Sequence, residues 1–257
     1  LGGGNQNSIP SQDNKQNFSS LASMAKVYGS ETSDMVADNC LQIFGGYGFI
    51  EEYPIAMAYR DDRINRIWEG TNEINRAIIS GYMMKKVLTE EISLRDFLKD
   101  LNTFIAADVQ ANSQDNFAIE KHAVQATKKL VVLIFQEALC EFGQDLKHEQ
   151  QLSEAFADIF THIYTSESVI CRVQQTLSSN GTSNMPVNIA KINVAESLLE
   201  VRSLSAKCLN RIFSENVPTS IMRSVTKLHD IINLDTDTIS LKKDLGEFMI
   251  DRKDYPF

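Results

Sequence analysis

Apolar residues recur at helical spacing along almost the whole of this chain. From about Ser19, the residues Leu21, Met24, Tyr28, Met35 or Val36, Cys40 and Ile43 fall three, four or seven apart, which lines one face of a helix. Gly45 and Gly46 follow, and a residue that takes positive φ without strain ends a helix there. Pro54 suits the first turn of a short helix running to about Asp62. Thr71 is placed to cap a helix that carries Ile74, Ile78 and Tyr82 and ends near Val87.

A second block opens at Ser93, which with Asp96 resembles a capping pair. Leu94, Phe97, Leu98, Leu101, Phe104 and Ile105 then form an apolar stripe. The pattern predicts further helices over about 119–142 (ending at Gly143), 150–179 (ending at Asn180-Gly181), 187–213, 218–233 and 239–250. The 150–179 helix is the most regular, with Leu152, Phe156, Ile159, Ile163, Ile170, Val173 and Leu177 on one face. No stretch alternates apolar and polar residues as a half-buried strand does. The expected fold is all-α, with antiparallel helices packed as bundles and joined by short turns. No fixed-period repeat points to a solenoid. Residues 1–18 are polar and glycine-rich and read as a linker or tail. Residues 19–90 read as one helical bundle and 91–257 as a second.

Length and composition narrow the classes of function. A chain of 257 residues with 43% hydrophobic and 23% charged content can bury one large or two modest cores. The longest apolar run, Leu130 to Phe135, is too short to cross a bilayer. A net charge of -9 argues against a broad nucleic-acid surface, which needs clustered Lys and Arg. Cys40, Cys140, Cys171 and Cys208 lie far apart, and the chain has no CxxC and no HExxH spacing, so no metal site is expected. The thiols are expected to be reduced and mostly buried. With no basic-then-apolar leader, the expected location is cytoplasmic in a bacterium, or mitochondrial in a eukaryote.

The candidate chemistry lies between residues 42 and 74. Gln42-Ile43-Phe44-Gly45-Gly46-Tyr47-Gly48-Phe49 is followed by Glu52-Tyr53-Pro54, then Tyr59-Arg60-Asp61, then Ile67-Trp68-Glu69-Gly70-Thr71-Asn72-Glu73-Ile74. A side-chain base that takes a proton from carbon needs a carboxylate held against that carbon and donors aimed at the oxygen where negative charge gathers. Glu69 is a carboxylate in a suitable setting. Trp68 is a large apolar neighbour that can desolvate it. Gly70 leaves room for substrate close to the backbone, and Thr71 turns the chain into a helix whose first amides point outward.

Taken together, these motifs and their spacing resemble the closing segment of the acyl-CoA dehydrogenase family. The resemblance implies that Glu69 is the base removing the pro-R α proton while the β hydrogen leaves as hydride to N5 of FAD. It also implies that the Glu69 backbone N–H is one of two donors to the thioester carbonyl, the other coming from the flavin ribityl chain. Thr71 and Glu73 correspond to positions touching FAD in the same subunit. Gln42 and Gly46 correspond to positions that reach the partner's FAD across a homodimer. Trp68 and Gly70 fall on the acyl-CoA side. Two residues depart from the family pattern: Glu73, where many members have Gln, and Trp68, where Tyr or Phe is usual.

The likeness to the catalytic core covers roughly 19–88, without the family's amino-terminal helical domain, β domain and first carboxy-terminal helices. The chain alone is therefore expected to be an inactive part of an oxidoreductase. Residues 93–257 resemble the extra helical domain of the very-long-chain-type members, as do Gly29-Ser30-Glu31 and the closing Asp254-Tyr255-Pro256-Phe257. That branch implies long acyl-CoA substrates, fatty-acid β-oxidation, a dimer, and electron-transfer flavoprotein as electron acceptor. A membrane-associating segment of that branch falls near the 94–105 stripe. Arg95, Asp96, Lys99 and Asp100 give its polar face no net positive charge, so packing within the bundle is expected instead. Two alternatives stay open: an acyl-CoA oxidase of similar architecture, and a non-catalytic helical dimerisation or interaction module.

Overall fold

The computed structural model describes residues 12–107, 115–178, 184–214 and 216–252. Every regular element among them is a helix, in the order α1 (Gln12–Phe44), α2 (Gly46–Phe49), α3 (Pro54–Arg63), α4 (Asn72–Leu88), α5 (Leu94–Leu98), α6 (Leu101–Ala106), α7 (Ala118–Phe142), α8 (Gln150–Ser178), α9 (Met185–Phe213), α10 (Thr219–Ile232) and α11 (Thr238–Arg252). Short 3-10 helices follow α3 at Ile64–Arg66 and α7 at Gly143–His148. The chain divides into two compact units, residues 1–89 and 90–257. Most of the expected linker, the Asn180-Gly181 terminator and the Asp254–Phe257 motif lie outside the described residues. The remainder of that linker, from Gln12, is already helical, seven residues before the predicted start at Ser19. Gln and Lys propagate a helix well once it is nucleated, even where no apolar period marks them.

In the first unit, α3 and α4 pack on α1. The buried seam is narrow and largely polar: Ser20, Ser23, Met24, Val27 and Ser30 of α1 meet Asn72, Asn75, Ile79 and Ser80 of α4. The apolar stripe that periodicity assigns to the inner face is only partly inside: Met24 is buried and Tyr28 and Cys40 are half-buried, but the rest is turned outward. Ile43 is 83% and Met35 57% exposed, and Leu21 and Val36 are exposed as well. Small serines let the two helices approach closely, and hydrogen bonds in the seam satisfy its polar groups.

The predicted stops and caps have clear local causes. Gly45 takes φ 59 after α1, Pro54 occupies the first turn of α3, and the Thr71 hydroxyl accepts the Ile74 N–H at 3.3 Å. Gly48 is required by space. A Cβ there would lie 2.4 Å from the Leu41 carbonyl oxygen, which is backbone and cannot swing away.

The second unit is built on α7, α8 and α9. Glu149, just before α8, pairs with Arg211 near the end of α9 at 2.6 Å, so these two helices are antiparallel. Glu120 and Lys191, near the starts of α7 and α9, lie 3.8 Å apart, so those two run the same way. Val124, Leu130 and Ile134 of α7, Phe156 and Ile159 of α8, and Val194 and Leu198 of α9 are fully buried between them. Each such side chain contributes about 1.5–3 kcal/mol. Phe135 and Phe156 meet edge to face at 5.0 Å. Leu228 and Ile232 add α10 to this core.

The 94–105 stripe is broken in two by a lysine. Lys129 of α7 donates to the Phe97 carbonyl at 3.1 Å and to Asp100 at 2.7 Å, with its ammonium over the Phe97 and Phe104 rings. The stripe packs on α7, and no helix among the described residues is long and apolar enough to cross a membrane. The cysteines depart from expectation. All four are free thiols, but only Cys208 is buried; Cys140 and Cys171 stand on outward helix faces, and Cys40 is intermediate. A helical pattern places cysteines on a helix without saying which face they occupy.

Candidate functional site

The turn between α3 and α4 combines strain with close support. Glu69 has φ 55 and Gly70 φ 81, so two successive residues occupy the left-handed region. For glutamate that conformation costs about 1–2 kcal/mol, and it persists only where neighbouring contacts dictate it. Upstream, the Trp68 N–H donates to the Ile64 carbonyl at 3.1 Å, and the indole N–H donates to Asn65 at 3.1 Å. Downstream, the Gly70 carbonyl accepts from Lys26 Nζ and from Asn75 Nδ2, each at 2.8 Å. Asn75 Nδ2 also donates to the Thr71 carbonyl at 3.0 Å. Glycine at position 70 answers both to its positive φ and to Asn75, whose Nδ2 would lie 3.1 Å from a Cβ. On that side the room is filled by the protein itself.

The support extends into the α1–α4 seam. Asn72, 1% exposed, accepts from Lys26 Nζ at 2.7 Å and donates to Ser30 at 3.0 Å and to Glu31 at 3.1 Å. Arg76 and Glu31 form a two-pronged ion pair, at 2.8 Å and 3.0 Å. Arg66 pairs with Asp34 at 2.9 Å. Asn72, Ser30 and Glu31 lie within motifs already quoted, but nothing in those motifs marks them as supports of the turn, and Lys26, Asp34, Asn75 and Arg76 belong to none. Their signal in the sequence is that Lys26, Ser30 and Glu31, and Asn72, Asn75 and Arg76, place polar groups at i, i+3, i+4 or i+5 on faces otherwise expected to be apolar.

At the centre of this support, Glu69 itself is unengaged. Among the described residues neither its carboxylate nor its backbone N–H makes a hydrogen bond. The expectation that Trp68 shields Glu69 is not met within this chain, since Trp68 is 55% exposed and Glu69 is open to solvent. Thr71 and Glu73 are brought together. The Glu73 carboxyl is held below its usual 4.5 by its own backbone N–H and then by the Thr71 hydroxyl, with Arg76 and Arg66 adding to the effect. Gln42 and Gly46 lie at the end of α1 and the start of α2, both exposed, and no hydrogen bond joins them to residues 68–73. Open space surrounds the position where Gly46 would carry a side chain. No cluster of metal-binding side chains occurs among the described residues.

Known proteins share both units. Two family models, each described as the C-terminal domain of acyl-CoA dehydrogenase, match residues 5–84 and 126–226. A probable acyl-CoA dehydrogenase of Bacillus subtilis is 34% identical over 190 residues, which is 73% of this chain and 32% of that protein. The Caffeyl-CoA reductase-Etf complex subunit CarC of Acetobacterium woodii is 44% identical over 80 residues, 31% of this chain and 21% of that protein. The crystal structure of an acyl-CoA dehydrogenase complexed with FAD from Bacillus anthracis superposes with a TM-score of 0.81 at 29% identity, over 91% of this chain and 40% of that one. The chain thus spans about a third of the Bacillus subtilis relative and two-fifths of the Bacillus anthracis chain. With matches to C-terminal domains in both of its units, this chain belongs to the acyl-CoA dehydrogenase family.

Proposed function

We propose that the chain works as the C-terminal part of an FAD-dependent acyl-CoA dehydrogenase, with Glu69 as the base that removes the α proton of a long-chain acyl-CoA. One observation carries this reading. The turn is tied down on both sides of Glu69, while the carboxylate and backbone N–H of that one residue remain uncommitted. A base and a donor to the thioester oxygen are the two groups that α-proton abstraction requires, since negative charge accumulates on that oxygen as the proton leaves. The carboxylate takes the proton, and the N–H meets the developing charge. Cover from parts of the enzyme beyond this chain would dehydrate both groups and strengthen their action.

FAD, when bound, supplies the acceptor for the hydride that leaves the β carbon. The open surface at Gly46, the exposed Gln42 amide and the half-exposed Thr71 hydroxyl suit contacts with the polar atoms of such a cofactor. Glu73 favours its ionised form and therefore suits a hydroxyl of the cofactor and not its diphosphate. The long-chain preference rests on the second unit. Residues 93–257, which make up most of that unit, resemble the extra helical domain of the very-long-chain-type members. Electron-transfer flavoprotein as acceptor is supported by the name of the Acetobacterium woodii relative, and a homodimer by the exposed Ile43 and Phe49 beside Gln42 and Gly46.

The test is Glu69→Gln in the full-length FAD-loaded enzyme. Turnover of a long-chain acyl-CoA should fall by about 10²–10⁴-fold while the flavin spectrum and stoichiometry stay unchanged. Near-normal turnover would remove Glu69 from the role of base.

A further inference from the structure

We propose that Lys26 is a positioning residue for α-proton transfer, acting through the Gly70 carbonyl to hold the left-handed turn that presents Glu69. This inference rests on the reading of Glu69 as the base. Lys26 sits on α1, forty-four residues before the carbonyl it holds. Its ammonium bridges two oxygens, the Gly70 carbonyl at 2.8 Å and Asn72 Oδ1 at 2.7 Å. These belong to the residue after Glu69 and to the first residue of α4, so one cation pins the exit of the turn and the start of the helix together.

The neighbours on the same seam are committed differently. Glu31 is paired with Arg76 and Asp34 with Arg66. Among the described residues Lys26 has no carboxylate partner, and its two acceptors are neutral oxygens of the turn and helix start. A lysine whose only purpose was to join α1 to α4 would serve equally well on a carboxylate. Its charge is directed at the one carbonyl whose orientation fixes the backbone beyond Glu69. Charged donors hold such an oxygen more firmly than neutral ones.

Asn75 also holds the Gly70 carbonyl, so loss of Lys26 leaves the turn in place but more weakly restrained. The predicted defect is therefore in alignment. A misplacement on the order of 1 Å costs about 10²-fold in rate where the reacting atoms must meet in line.

The experiment uses the full-length FAD-loaded enzyme with Lys26→Met, Lys26→Ala and Lys26→Arg, with rates normalised to bound flavin. Lys26→Met should lower kcat about 10–100-fold with KM changed less than about threefold, and should raise the primary isotope effect on α-deuterated substrate. Added methylammonium should restore part of the rate to Lys26→Ala, and Lys26→Arg should lie between wild type and Lys26→Met. A rate loss that follows flavin content with an unchanged isotope effect would mean a purely structural lysine and would overturn the proposal. So would full activity in Lys26→Met. Should the Met and Ala variants lose flavin, Lys26→Arg decides: an unchanged rate and isotope effect there also overturns it. The Glu69→Gln result is separate, because turnover surviving in that variant removes the base itself, whatever Lys26 does.

Discussion

Asn72→Ala tests how much the α1–α4 seam depends on one buried amide. The side chain is almost fully buried and makes hydrogen bonds to Lys26, Ser30 and Glu31. Two of these are to charged groups and are worth about 1.5–3 kcal/mol each. Lys26 keeps the Gly70 carbonyl, Glu31 keeps Arg76, and Ser30 keeps the Val27 carbonyl, so the loss is partly compensated. Alanine also favours the helix by a few tenths of a kcal/mol. The net expectation is a destabilisation of about 2–3 kcal/mol, a factor of about 30–150 in the ratio of folded to unfolded unit. The chain has a single tryptophan, Trp68, so urea unfolding followed by its fluorescence reads the unit that contains Asn72. Asn72→Asp adds a sharper arm. It keeps an acceptor for Lys26 but sets a carboxylate where Glu31 now accepts at 3.1 Å, so it should be costly alone and rescued by Glu31→Gln. Asn72→Ala within 0.5 kcal/mol of wild type, or no coupling between Asn72→Asp and Glu31→Gln, would refute the account of the seam; that threshold is roughly the spread of neutral surface substitutions.

Gly48→Ala should cost about 2–3 kcal/mol by the same assay, because the added Cβ meets the Leu41 backbone oxygen, whereas Gly46→Ala meets open space and should cost little. His229, hydrogen-bonded to Ser205 at 2.9 Å, is held below its usual 6.5 by burial first and by Arg202 next, with Asp230 opposing. A depressed histidine favours the neutral form in the folded state, so its contribution is full above 6.5 and is lost as pH falls through the folded value. His229→Gln should make the acid side of the stability profile shallower in circular-dichroism melts; an unchanged slope would show that His229 does not contribute. In the native chain at pH 8, Cys140 and Cys171 should react fastest with a thiol reagent. Cys208, whose thiol burial pushes up to about 12, should react only on unfolding, as intact mass would read.

The helices were legible because their signals are local. Thr71, Pro54, Gly45 and Gly143 each act within a turn of their own position, and the elements begin or end there. The second unit was legible for a related reason: its three long helices bury a regular apolar face, and Leu152, Phe156, Ile159 and Ile163 are all inside. The first unit resisted the same logic. Its seam is largely serines and asparagines around Met24, Val27 and Ile79, and Leu21, Met35 and Ile43 stand outside it, so the apolar period of α1 coincides with burial only in part. The site divides along the same line. Glu69 and its neighbours form a contiguous motif, but Lys26 and Asn75 act through hydrogen bonds whose partners are set by tertiary packing. The division of the 94–105 stripe into α5 and α6 belongs with these, since the lysine responsible comes from another helix.

The backbone at position 69 also bears on how this family could lose its activity. A left-handed φ is adopted most readily by glycine and next by asparagine or aspartate, so glutamate is retained there against local preference. Drift from Glu69 to Gly or Asn would therefore relieve strain while discarding the carboxylate. Descendants freed from selection for turnover could keep a sound scaffold and even gain stability. In such lineages the fold would outlast the chemistry, and the residue at this one position would record which had been kept.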